Sequence, residues 1–294
     1  MTAVLQSVPT PFPPFTLRLP EGEPVPLVCD SPHSGVLYPD DFGHVVPFDQ
    51  LRGAEDTDVH ELWQALPSVG ATLLAANYPR AYIDPNRDID DIDPEMLAEP
   101  WPTPLHPSEK TRLGIGLIWR DAGKSGKWPI YARKLPVAEV QQRIATYHAP
   151  YHAAMREQIE AAHARFGAVW HLNLHSMPAD SYEGLQIQSD HPLADFVLGA
   201  RDGTTASPEF TALVAEALRR RGFSVALNDP FKGVALIARL GRPAERRHSL
   251  QVEIHRGLYM NETTRERSAG FTALQNALTA VSREIADYVK DQVT

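Results

Sequence analysis

The 294-residue sequence has one cysteine, Cys29, so no intrachain disulfide can form. It has no apolar run of the roughly 18 residues that a spanning helix needs. Its first residues, MTAVLQSVPTPFPPF, lack both a basic start and an unbroken apolar stretch, unlike a signal peptide, and a cytoplasmic protein is expected. Positive charge is scarce: 28 Lys and Arg stand against 37 Asp and Glu, a net charge of -9. Such a surface does not hold nucleic acid or an anionic membrane, so neither is expected as a partner. A small anionic substrate stays open, provided a few arginines make a local positive pocket. Also missing are a G-x-S-x-G elbow, which argues against an α/β-hydrolase serine mechanism, and a glycine-rich phosphate loop. There is no internal repeat.

What remains is ordinary for a soluble globule, 43% apolar and 22% charged. Residues 1–24 are proline-rich and read as an extended arm, leaving 25–294 as a single domain. Within it, strands and helices alternate. PLVCDSPH reads as a strand ending near Cys29, DTDVHELWQAL as a helix over 58–66, and ATLLAANYPRAYID as a second strand region. Residues 88–134 are rich in Pro and Asp, and RDAGKSGKWPI adds a loop signal, so this stretch is expected to be irregular and functional, such as a lid. Residues 136–167 read as one or two helices kinked at Pro150. AVWHLNLHS is a central strand, and SPEFTALVAEALRRRG a helix capped by Ser207 and closed by Gly222. FSVALNDP, GVALIARLG and HSLQVEIHRGLYM read as three further strands, and 263–291 as a final helix. The alternation predicts a three-layer αβα sandwich on a mixed, mostly parallel sheet.

Ligands of such sheets bind beyond the carboxyl ends of the strands, so polar residues there draw attention. His33 follows the first strand on a Pro-Gly turn. Arg80, Asp84, Asn86 and Arg87 follow the second. HLNLHS places His171, Asn173 and His175 on one face, and QVEIHR places Glu253 and His255 on one face. His33 and His175 suit a metal, since two imidazoles and a carboxylate leave zinc an open position for water. The carboxylate can come from Asp56 or Asp58, which otherwise serve as helix caps. Glu253 lies in an apolar strand, where a carboxylate is costly unless paired or functional. It reads either as a general base or as the partner of Arg256 or another arginine. Arg80, Asn86 and Arg87 can make a carboxylate site, with Lys232 and Arg120 as further candidates. His148 and His152 have the i, i+4 spacing of a metal pair, but Pro150 lies between them and no acidic residue follows His148, so they are taken as structural. Cys29 is read as a small buried residue.

The pieces SPHSG, EDTDVHELW, YPRAYIDPNRD, LNLHSM, DFVLGARDGTTASPEF, NDPFKG and VEIHRGLYM, in this order over about residues 25–260, resemble the N-formylglutamate amidohydrolase (N-formylglutamate deformylase) family, which is related in fold to zinc carboxypeptidases and aspartoacylases. The resemblance implies an αβα domain with one divalent metal, zinc first, and a place in histidine degradation. It implies His33 and His175 as metal ligands. The carboxypeptidase-type glutamate three residues after the first histidine is replaced by Val36, so the third ligand comes from elsewhere, with Asp58 preferred to Asp56. It implies Glu253 as catalytic glutamate, Arg80 as the arginine that polarises the scissile carbonyl, and Asn86 and Arg87 as the pair on the substrate carboxylate. The expected reaction is hydrolysis of N-formyl-L-glutamate, or a close N-formyl amino acid, to formate and the free amino acid. The alternatives are an aspartoacylase-like or carboxypeptidase-like hydrolase of another N-acyl amino acid, and a non-catalytic anion binder of the same fold. Glu253 speaks against the last, since an anion binder gains nothing from a carboxylate in its pocket. The oligomeric state is left open.

Overall fold

A computed structural model describes residues 11–123 and 128–294. Residues 1–10 of the expected arm and 124–127 of the expected loop RDAGKSGKWPI lie outside the described residues. Nine strands are present among the described residues: β1 (Phe15–Arg18), β2 (Leu27–Ser31), β3 (Thr72–Ala76), β4 (Asp121–Ala122), β5 (Trp128–Pro129), β6 (Val169–Met177), β7 (Phe196–Gly199), β8 (Val225–Leu227) and β9 (Arg247–His255). Seven form one sheet in the order β1-β3-β2-β6-β9-β7-β8, and β4 and β5 pair as a separate antiparallel ribbon. β6 runs parallel to β2 and to β9, whereas β7 runs antiparallel to β9 and parallel to β8. The expected α/β class with a mixed, mostly parallel sheet is observed.

Strand parity explains why the centre of the sheet has two unlike faces. Leu27 and Cys29 of β2, Leu172 and Leu174 of β6, and Leu250, Val252 and Ile254 of β9 all enter one apolar cluster. The helices Val59–Leu62, Pro208–Arg219 and Phe271–Asp291 add Val59, Leu62, Phe210, Val214, Leu274, Leu278 and Ile285 to it. Alternate residues in the middle of β2, β6 and β9 therefore enter this core, and the residues between them face the other way. Those alternate positions are largely polar, and they build the site described below.

Several elements differ from the sequence expectation for identifiable reasons. GVALIARLG, expected as a strand, is the helix Ala235–Leu240, which buries Leu236 and Ile237 and closes with Gly241 N donating to Ile237 O at 2.9 Å; a short apolar run fits either period. The four-residue β7 in DFVLG was not expected as a strand, yet it is buried throughout. The helix after Asp58 stops at Leu62, and a 3-10 turn with Pro67 follows over Leu66–Val69. The last helix starts only at Phe271; Asn261 Oδ1 accepts from Thr263 N and Thr264 N and holds the first expected helical residues as a turn. Pro150 ends no helix. The chain is helical over Val137–Arg143 and Ala149–Phe166, joined by a π-helical turn over Ile144–His148. A wide turn there absorbs the missing N–H and the bulk of the proline ring.

By compactness the chain divides into two units, the first from the described parts of 1–16, 32–55 and 75–154, the second from 17–31, 56–74 and 155–294. The second holds the apolar cluster. The first contains the buried Arg143, which donates to Tyr82 O at 3.0 Å and Tyr131 Oη at 2.7 Å and lies 4.0 Å from the Tyr82 ring. The irregular 88–134 stretch is tied down by its own acids: Asp91 accepts from Ser108 N at 2.6 Å and Ser108 Oγ at 2.9 Å, and Asp93 caps a short 3-10 turn through Glu95 N at 3.0 Å. Among the described residues, no helix is long and apolar enough to cross a membrane.

Candidate active site

The polar face of the sheet is organised in rungs. In register, Val28 pairs with His171 and Asp30 with Asn173 across β2 and β6. Across β6 and β9, His171 pairs with Ser249, Asn173 with Gln251 and His175 with Glu253. Asp30, His171, Asn173, His175, Ser249, Gln251 and Glu253 are all buried. So many polar groups away from water are costly unless they bond one another. They do so in sequence. Ser249 Oγ lies 2.7 Å from His171 Nδ1, and His171 Nε2 lies 2.9 Å from Asp30 Oδ1. Asn173 Nδ2 donates to the same oxygen at 2.8 Å, and Asn173 Oδ1 lies 2.7 Å from His175 Nε2. On the neighbouring strand Gln251 Nε2 donates to Glu253 Oε1 at 2.7 Å.

His33 stands on the turn after β2 and is buried. Gly35 lets this turn close, because a Cβ there would lie 2.2 Å from Tyr78 O. The ring is held through Nε2, 2.8 Å from Asp84 Oδ1. Asp84 in turn accepts from Arg80 Nη2 at 2.8 Å, Arg80 Nε at 3.1 Å and Asn86 N at 2.8 Å. Burial alone would raise the Asp84 carboxyl, but Arg80, His33 and Arg87 outweigh it and hold the group well below the usual carboxylate range. Arg80 also lies over the Trp119 ring, 5.0 Å from its centroid.

His33, His175 and Asp56 each offer one ligand atom, and the three atoms lie within 4.8 Å of one another. His175 Nδ1 is 3.0 Å from Asp56 Oδ2, and the other oxygen of Asp56 accepts from the buried Arg256 at 2.9 Å. Two imidazoles and a carboxylate are a donor set that could hold a divalent ion. The third member is thus Asp56, whereas Asp58 was expected. Asp58 sits at the left-handed start of its helix, with φ of 61°, and gives its carboxylate to Arg267 Nε at 2.6 Å. Arg256, read from sequence as a possible partner of Glu253, pairs with Asp56.

The remaining expected site residues separate into two groups. Asn86 and Arg87 are buried beside Asp84, and Arg87 donates to Ile115 O at 3.1 Å and Asn86 O at 3.0 Å. His148 and His152 brace that loop, with Nε2 atoms 3.1 Å from Arg87 O and 2.8 Å from Pro85 O, the structural use expected of them. Arg120 pairs instead with Asp93 and Asp121, and the exposed Lys232 with Asp202 at 3.1 Å. Cys29 is buried in the apolar cluster, and burial pushes its thiol pKa well up. Sequence reading missed Asp30 and Gln251. Gln251 carried the signal that exposed Glu253, a polar side chain inside a strand whose alternate residues are apolar, whereas Asp30 stands at the end of its strand.

The family model for N-formylglutamate amidohydrolase matches residues 25–260. The chain belongs to the N-formylglutamate amidohydrolase family. An N-formylglutamate deformylase of Pseudomonas aeruginosa is 31% identical over 245 residues, which cover 81% of this chain and 83% of that protein. The crystal structure of an N-formylglutamate amidohydrolase from Ralstonia eutropha JMP134 is 63% identical, with a TM-score of 0.94 over 96% of this chain and 100% of that one. A protein from Agrobacterium tumefaciens, 16% identical with a TM-score of 0.64 over 96% of this chain and 95% of that one, shares the fold. All seven sequence pieces that carried the resemblance begin and end within about the span that the family model covers.

Proposed function

We propose that this chain is a metal-dependent amide hydrolase that converts N-formyl-L-glutamate, or a close N-formyl amino acid, to formate and the free amino acid. The observation that carries the reading is the gathering of His33, Asp56 and His175 in a chain of this family, with Glu253 next to His175 in register. His33 and Asp56 and His175 would hold one divalent ion, zinc by donor type. Bound there, the ion would make a water acidic and polarise the formyl oxygen. Glu253 takes a proton from the attacking water and returns it to the leaving amine. Arg80, held by its bond to Asp84, stabilises the oxyanion. Asn86 and Arg87 hold a substrate carboxylate, and the Arg87 guanidinium supplies the local positive charge that a protein of net charge -9 needs in order to bind an anion.

The test is a panel of N-formyl and N-acetyl amino acids, assayed for released formate or acetate with and without added divalent metal. N-formyl-L-glutamate should lead the panel, and chelation should abolish turnover. Turnover by metal-free protein, or faster release of acetate than of formate, would reject the reading. A second expectation concerns the carboxylate. Removing one partner of a buried charge pair costs roughly 2 to 5 kcal/mol, so Arg87→Ala should raise KM at least about 30-fold on N-formyl-L-glutamate with little change in kcat. If both the α-amide and the γ-amide of the substrate suffer the same rise, Arg87 does not read a carboxylate.

A further inference from the structure

We infer that Asn173 and Asp30 fix which nitrogen of His175 faces the metal position, and so act as positioning residues for metal binding. The inference rests on the metal reading above. Asn173 Nδ2 lies 2.8 Å from Asp30 Oδ1, and a carboxylate only accepts. Asp30 therefore sets the orientation of the Asn173 amide, with its NH2 toward Asp30 and its oxygen toward His175. That oxygen, 2.7 Å from His175 Nε2, can only accept, so it requires a proton on Nε2. A neutral ring with its proton on Nε2 carries its lone pair on Nδ1. Nδ1 is the atom beside Asp56 Oδ2, 3.0 Å away. The chain of requirement continues backward, since His171 Nε2 donates to the same Asp30 oxygen at 2.9 Å. Reversing the Asn173 amide would leave the Asp30 carboxylate facing an oxygen, acceptor against acceptor.

His33 shows the same logic by a shorter route, with a carboxylate directly on its Nε2. At His175 the carboxylate acts through an amide. The register makes this possible, because Asp30 and Asn173 share one rung and His175 sits two residues further along the same strand and face. Partners of this kind typically change metal affinity by about 10- to 100-fold when removed.

The experiment measures zinc affinity by chelator competition at a temperature where every metal-free variant is folded by circular dichroism. Asp30→Asn and Asn173→Ala should each weaken zinc about 10- to 100-fold. Leu172→Ala, on the opposite face of the same strand, destabilises the core without touching the chain of bonds and should leave the affinity of the folded protein unchanged. Unchanged affinity in both polar variants, with wild type binding tightly, overturns this inference and spares the metal reading. A wild type that binds no zinc overturns both. Should the polar variants fail to fold, long-range proton–nitrogen correlation on zinc-loaded, 15N-histidine-labelled wild type decides: the His175 ring must carry its proton on Nε2, and a proton on Nδ1 overturns the inference.

Discussion

Glu253→Gln should lower kcat by about 10²- to 10⁴-fold while the protein keeps its metal and its fold. Glu253 is buried in β9 beside His175 in register, but it is not one of the three residues whose ligand atoms gather. Loss of its charge therefore leaves the proposed ligand set intact. The local bond sharpens the expectation. Gln251 Nε2 donates to Glu253 Oε1 at 2.7 Å, and a glutamine at 253 would keep its oxygen there to accept it. Its NH2 would then occupy the other carboxylate position, placing a donor where the reaction needs an acceptor. The polarity of the base is thus inverted, and size and packing are conserved. Metal content by elemental analysis and kcat on N-formyl-L-glutamate separate the roles. Near-normal turnover with metal bound would assign Glu253 to structure.

How far the sequence could be read depended on where each residue's partners lie along the chain. The residues of β6 and β9 were legible because strand alternation is a local rule: His171, Asn173 and His175 on one face and Glu253 beside an apolar Ile254 follow from spacing alone. The helix Pro208–Arg219 was legible for the same reason, with its Ser207 cap accepting from Phe210 N at 3.2 Å and Gly222 at a φ of 86° just beyond it. Pairings over long separations were not. Arg256 meets Asp56 across 200 residues, and no spacing rule distinguishes that from a bond to the nearby Glu253. Asp30 was hidden by its position at the end of an apparently apolar strand, since its partners His171 and Asn173 lie over 140 residues away. Arg120 and Lys232 drew attention for charge alone, and charge does not reveal that each has acidic neighbours of its own. GVALIARLG failed for a different reason, because so short an apolar run does not determine its own period.

Asp56→Asn should abolish tight metal binding, and Asp58→Asn should leave it intact. The two aspartates are two residues apart and chemically alike, so their environments decide between them. Asp56 is buried, with Oδ2 beside His175 Nδ1 and Oδ1 on Arg256 at 2.9 Å. Arg256 thereby holds the carboxylate in one orientation, and the proposed ligand oxygen is presented without rotational freedom. Asp58 is partly exposed and pairs with a half-exposed Arg267, an interaction of a kind worth about 0 to 1 kcal/mol. Asparagine tolerates the left-handed backbone that Asp58 adopts, so Asp58→Asn should also change stability little. Asp56→Asn carries a second consequence, since it leaves the buried Arg256 guanidinium without its counter-charge. Breaking one side of such a pair costs about 3 to 5 kcal/mol, and a fall in melting temperature is expected alongside the loss of metal. The double variant Asp56→Asn, Arg256→Gln separates the two effects: it removes the uncompensated charge and should recover much of the stability, but it restores no ligand. Metal titration of all three folded proteins is the measurement. Tight binding by the double variant would remove Asp56 from the ligand set, and loss of binding in Asp58→Asn alone would return that role to Asp58.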